Sequence, residues 1–221
     1  MLPTYELKKE AIIEEIIEIG EATLNALEQS YEAISKDELS NLSKIKLSIK
    51  KIEEKTNNID NDVVKLLALY SPEAKDLREL ISYLKITNEL GRAAYNIKTF
   101  CKLFKKSFSD DLNTKTILEY TLPLHKSAHL ALKTSLSMLD DSDEESVRNK
   151  YHKVYIEVSK TDDLYSMIEK NILKLMTKNH ELAKEYFEVL TAIRKLDKIT
   201  DRASSLASLS KFAEIGGELE H

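Results

Sequence analysis

The chain has very little with which to make tight turns. Among its 221 residues are four glycines and three prolines. That scarcity excludes glycine-rich loops that cradle phosphates, and it leaves long uninterrupted elements as the building material. Tryptophan is absent, and no run of alternating β-branched residues argues for strands. A single cysteine, Cys101, rules out an intramolecular disulfide and fits a reducing compartment. With no histidine near it in sequence, Cys101 reads as a small buried hydrophobe. The longest apolar run, Leu66 to Tyr70, falls far short of the roughly 20 residues that cross a bilayer. The first residues are charged and lack the apolar centre of a signal peptide. These absences predict a cytoplasmic chain, at most peripheral to the inner face of the membrane. No nucleophile elbow, P-loop or dinucleotide fingerprint is present, so no enzyme is expected.

What the chain does have is charge and helix formers. Charged residues make up 32% and hydrophobic residues 42%, a composition neither disordered nor membrane-like. Leu, Lys, Glu, Ala and Ile dominate, most of them favourable in helices. The net charge of −5 argues against a general nucleic-acid binder. Lys98, Lys102, Lys105 and Lys106 form a short basic run, read as a solvated helix end.

The strongest pattern is a faint duplication. The strip from Leu84 to Ile97 and the strip from Ile193 to Leu206 align position by position, 109 residues apart. The same offset pairs Leu90 with Ile199, Ala94 with Ala203, Ile59 with Ile168, Val63 with Ile172 and Leu66 with Leu175. It also pairs Ile45 with Val154, Leu47 with Ile156 and Ile49 with Val158. A shared register over so many apolar positions predicts two copies of one helical unit, each burying the same stripe.

Six helical segments follow. The first runs from about Tyr5 to Ile34, with Ile12, Ile16, Ile19, Leu24 and Leu27 on one stripe. The second is drawn as one helix from Glu38 to Leu69. Ser71-Pro72-Glu73 reads as the start of the third, with Ser71 as N-cap and Pro72 at the first helical position, continuing to Phe104. Ser107 to Asp111 is the expected boundary between copies. The fourth segment runs from Asn113 to Leu139, with a kink expected at Pro123. The fifth begins after a Ser142 cap and ends near Met176. Lys178-Asn179-His180 breaks the chain before the sixth, which ends near Ala213. Helices of roughly 30 residues span about 45 Å and must pack side by side to be stable. The expected fold is all-α: two tandem antiparallel three-helix bundles, residues 1–108 and 109–216. Residues 217–221 form a tail, and Leu219-Glu220-His221 reads as the stub of a purification tag.

The strip Pro72, Ala74, Asp76, Leu77 and Arg78 resembles the P-x-A-x-D-L-R opening of the third helix in the PhoU family of phosphate-uptake regulators. In the second copy, Leu196, Asp197, Lys198, Ile199, Asp201 and Ala203 resemble that family's L-E-R-I-G-D-x-A segment, with Thr200 in place of glycine. The family's six-helix duplication matches nearly the whole chain. The resemblance implies structural roles for Pro72, Asp76 and Arg78. It also implies acidic residues that bind multinuclear metal clusters. In the first copy those positions hold Asn88 and Arg92, so the metal role does not transfer there.

Asp197 and Asp201 are four apart and share one helix face. Asp162 and Asp163 of the fifth segment correspond by offset to Glu53 and Glu54, and Asp163 is expected to face the pair. Two readings are open. Oxygen donors of this kind suit iron, manganese or magnesium. Alternatively, the acids pair with Lys195, Lys198 or Arg202 on a solvated surface. In the first copy, Arg92 is expected to stand beside Glu53 or Glu54 as a built-in cation. His125 and His129, also four apart, read as surface or interface histidines, since no acid lies close by to complete a site.

By resemblance, the expected function is to damp phosphate uptake or phosphate-starvation signalling. The protein would dock on the cytoplasmic part of a phosphate transporter or on a membrane sensor kinase, as a homodimer. The alternatives are a metal-binding or metal-sensing bundle and a purely structural helical adaptor. No nucleic acid and no membrane span are expected.

Overall fold

The computed structural model describes residues 3–48 and 51–218; for Pro3 and residues 46–48 it describes the backbone alone. The side chain of Leu47, residue Ile49 and the end Leu219-Glu220-His221 therefore lie outside the described residues. The described residues form seven α-helices and no strand. They are α1 (Pro3–Ser35), α2 (Leu42–Ser48), α3 (Ile52–Tyr70), α4 (Ala74–Ser107), α5 (Thr114–Leu136), α6 (Glu144–Lys178) and α7 (Ala183–Ile215). Short 3-10 turns at Leu39–Asn41 and His180–Leu182 lead into α2 and α7.

The predicted stripes are buried. Ile59 and Val63 of α3 and their counterparts Ile168 and Ile172 of α6 are fully shielded from solvent. So are Leu90 and Ile97 of α4 and Ile199 and Leu206 of α7. Each such side chain contributes roughly 1.5–3 kcal/mol by leaving water. Helices α1, α3 and α4, with α2 beside α4, form the first bundle, and α5, α6 and α7 the second. The buried side chains of both join into one continuous apolar core.

Helices α4 and α7 make the most extensive contact in the molecule. They run antiparallel. The start of α4 meets the end of α7 through Arg78, Ala213 and Glu214, and the middles meet where Arg202 donates to Glu89 at 2.8 Å. At the other end Ser107 donates to Glu188 at 3.1 Å. Helix α1 also reaches across to α5.

Three local expectations are corrected. The second segment divides into α2 and α3. Helix α4 begins at Ala74, because Ser71 adopts the left-handed conformation (φ 45°) that closes α3, and an N-cap needs extended backbone. The cap of α6 is Asp143, not Ser142: its carboxylate accepts from the amides of Glu145 and Ser146. Helix α5 runs unbroken through the exposed Pro123, opened by Asn113, whose side chain accepts from the Thr116 amide at 3.0 Å.

Candidate functional site

Asp197 and Asp201 stand one turn apart on α7. Asp197 is only 8% exposed. Burial pushes its carboxyl above the ordinary carboxylate value, and the charges of Asp201 and of Asp162 on α6 push the same way, against Lys198 and Arg194. Asp162 is raised likewise, by burial, then by Asp201 and its neighbour Asp163. Asp162 and Asp163 are both exposed on α6; the charge of Asp162 acts on Asp197, and that of Asp163 acts on Asp162. Lys198 answers this repulsion: its Nζ lies 2.6 Å from Asp201 Oδ2 and 3.8 Å from Asp197 Oδ2.

The donor chemistry of Asp162, Asp197 and Asp201 suits a hard cation such as manganese, magnesium or iron. Among the described residues, no three His, Cys, Asp or Glu side chains come together closely enough to hold a metal ion. The positive charges that act on Asp197 are the Lys198 ammonium and then the Arg194 guanidinium.

In the first repeat, Glu53 and Glu54 are exposed on α3, and Asn88 and Arg92 are exposed on α4. The expected pairing of Arg92 with Glu53 or Glu54 is not made. Arg92 forms no ion pair among the described residues, although it and Glu53 line the same cleft. Between α3, α4 and α7 lies a cleft of about 750 Å³, which Arg92 and Glu53 both line. Sequence reasoning missed this cleft, whose walls come from residues about a hundred positions apart. Its one visible signal was Arg194, Lys198 and Arg202, four apart and so on one face of α7.

The resemblance-derived positions Asp76 and Arg78 fasten helices together. Lys9 of α1 donates to Asp76 at 3.0 Å and to Glu79 at 2.9 Å. Burial works against the Lys9 ammonium, but these bonds more than offset it and raise its pKa. Arg78 turns the other way, toward the end of α7. Pro72 is buried in the turn between α3 and α4.

His125 is fully buried, with its Nε2 2.8 Å from Ser30 Oγ of α1. Tyr31 of α1 and Phe100 of α4 meet its ring edge-on. It is an interface histidine between the bundles, and burial lowers its pKa to about 3. His129 is partly buried and also lowered by burial. Burial pushes the Cys101 thiol up to about 12, as suits a packing residue.

The sequence matches the PhoU domain twice, over residues 16–104 and 122–210. The chain belongs to the PhoU family. A phosphate-specific transport system accessory protein PhoU homolog of Xylella fastidiosa is 24% identical over 99% of the chain and 90% of the relative. One from Clostridium acetobutylicum is 24% identical over 98% of the chain and 96% of the relative. The crystal structure of PhoU from Pseudomonas aeruginosa superposes with a TM-score of 0.84, covering 96% of this chain and 100% of that one, at 16% identity. The phosphate transport system regulatory protein PhoU from Streptococcus pneumoniae superposes with a TM-score of 0.81, covering 98% and 99%, at 18% identity. These two structures share the PhoU fold with this chain. No helix among the described residues is long and apolar enough to cross a membrane.

Proposed function

We propose that this protein regulates phosphate transport or phosphate-starvation signalling by docking, without turnover. It would dock on the cytoplasmic part of a phosphate transporter or on a membrane sensor kinase, and would self-associate as a dimer. The observation that supports this is the match of both halves to the PhoU domain, together with full-length relatives named as accessory proteins of phosphate transport. Four helices of 33 to 35 residues offer long outer faces. Exposed Ile156, Met167 and Leu173 on α6, and Val64 and Leu69 on α3, supply apolar footholds for a partner.

The test is capture from cell membranes with tagged protein, with and without phosphate. The expected result is phosphate-dependent retention of a transporter subunit or a sensor kinase, lost in a Met167→Asp, Leu173→Asp double variant. Retention of neither under both conditions would reject the reading. A second reading, a metal-binding bundle, draws on the raised carboxyls of Asp197 and Asp162, whose repulsion Lys198 and Arg194 do not fully offset. A divalent cation would have to displace Lys198, so manganese titration of wild type against Lys198→Met tests it: tighter binding in the variant supports the reading.

A further inference from the structure

The cleft between α3, α4 and α7 is charged against the sign of the molecule. The chain carries a net charge of −5, yet six basic residues line this cleft against two acids, Glu53 and Asp60. Asp60 is already engaged, since it accepts a hydrogen bond from Thr87. Three of the six cations are held by the protein. Arg202 is bound to Glu89, Lys198 to Asp201, and Arg194 lies over the Tyr165 ring. The other three, Arg92, Lys98 and Lys195, form no ion pair among the described residues.

Cations that share a cleft repel one another, and an anion between them relieves that repulsion. Several features bear on which anion. At about 750 Å³ the cleft is larger than a halide or a lone carboxylate needs. Its walls add the side-chain amides of Asn57, Asn88 and Asn96, which present both donors and acceptors. A guanidinium matches phosphate oxygens in a two-pronged geometry, and Arg92 is placed to offer one. Tyr95, 63% exposed, lies on the cleft wall with its ring open to a flat ligand. The positions where the resemblance implies a carboxylate pair, Asn88 and Arg92, are in this wall. Here the first repeat carries an amide and a cation in their place.

We infer that this cleft binds a small phosphorylated anion, a phosphate group presented free, as a polyphosphate or on a nucleotide. The site stands on the cleft's own charge and shape and does not depend on the docking reading. Arg92, Lys98 and Lys195 supply charge from two walls, the asparagines orient the oxygens, and Tyr95 distinguishes a nucleotide from an inorganic ion.

The test is calorimetric titration of the full chain at low ionic strength with inorganic phosphate, tripolyphosphate and ATP, with sulfate as control. Wild type is expected to bind at least one phosphate ligand with a dissociation constant below about 1 mM, and more tightly than sulfate. Arg92→Gln with Lys195→Gln is expected to weaken that binding about tenfold or more, with helicity and melting temperature retained. Raising the salt should weaken it as well. If the ligand is a nucleotide, ATP binds more tightly than tripolyphosphate and Tyr95→Ala removes the difference. If it is an inorganic ion, the two bind alike and Tyr95→Ala changes nothing. No binding to any of the three, no preference over sulfate, or binding untouched by the double variant overturns the inference. Each of those outcomes leaves partner capture from membranes to be judged by itself.

Discussion

Arg78 Nε donates to the main-chain carbonyl of Ala213 at 3.1 Å, and its Nη2 donates to that of Glu214 at the same distance. A cation thus closes the carboxyl end of α7, where unpaired carbonyls concentrate negative charge. Replacing Arg78 by Met is expected to cost about 2 kcal/mol, since both bonds have a charged donor. Lysine should recover only part, lacking the fork that reaches two carbonyls. Urea denaturation checks this, and an unchanged midpoint would show the contact to be incidental. Gly216→Ala should also destabilise, because φ is +82° there and an added Cβ would lie 2.7 Å from the Arg78 guanidinium.

Lys9 carries the corresponding load between α1 and α4. Its stem is largely buried, and so is Glu79. Lys9→Met would leave Asp76 and Glu79 side by side with only the more distant Lys75, 3.8 Å from Glu79, to offset them, a loss of about 3 kcal/mol. A Lys9→Met, Glu79→Gln double variant should regain part of it. Thermal melts of the two variants give the comparison, and equal melting temperatures would contradict the pairing.

His125 makes stability depend on acidity. Its folded pKa is lowered to about 3, so between that value and the ordinary 6.5 the unfolded chain binds a proton that the folded chain refuses. This contribution is complete above pH 6.5 and falls by about 1.4 kcal/mol for each unit below it. The wild type should therefore lose stability relative to His125→Leu as the pH falls from about 7 to about 5. A constant gap in urea midpoint across that range would mean that His125 titrates normally.

Asp197 has the opposite sign. Its carboxyl is raised on folding, so the folded chain keeps a proton that the unfolded chain releases. Stability from this group is greatest below the ordinary aspartate value and declines as the pH rises through the folded one. At neutral pH, Asp197→Asn is expected to raise the melting temperature of chelator-treated protein. A lower melting temperature would show that Lys198 more than compensates the buried charge.

Much of the fold was legible because a buried stripe repeats with the helix. Ile59 and Ile168, Val63 and Ile172, Ala94 and Ala203 take equivalent buried places, as their spacing implied. Turn chemistry was harder to read: Ser71 and Pro72 look like a helix start, yet the left-handed backbone at Ser71 puts them at the end of the helix before. The antiparallel contact of α4 with α7 was not visible, since nothing in the apolar period says which helix of one unit meets the other. The cleft was hidden for the same reason. Arg92 looked like a partner for nearby acids on α3, and only the fold brings it to the same cleft as Lys195.

The single core running through both bundles has a consequence for how such a chain can change. Cutting it at Ser107 to Asp111 would strand α4 and α7, each stripped of the surface that shelters it. Interior positions are bound to a common fate. The equivalent places above that core are free to differ: α4 presents Asn88 and Arg92 to solvent where α7 holds the buried Asp197 and the partly buried Asp201.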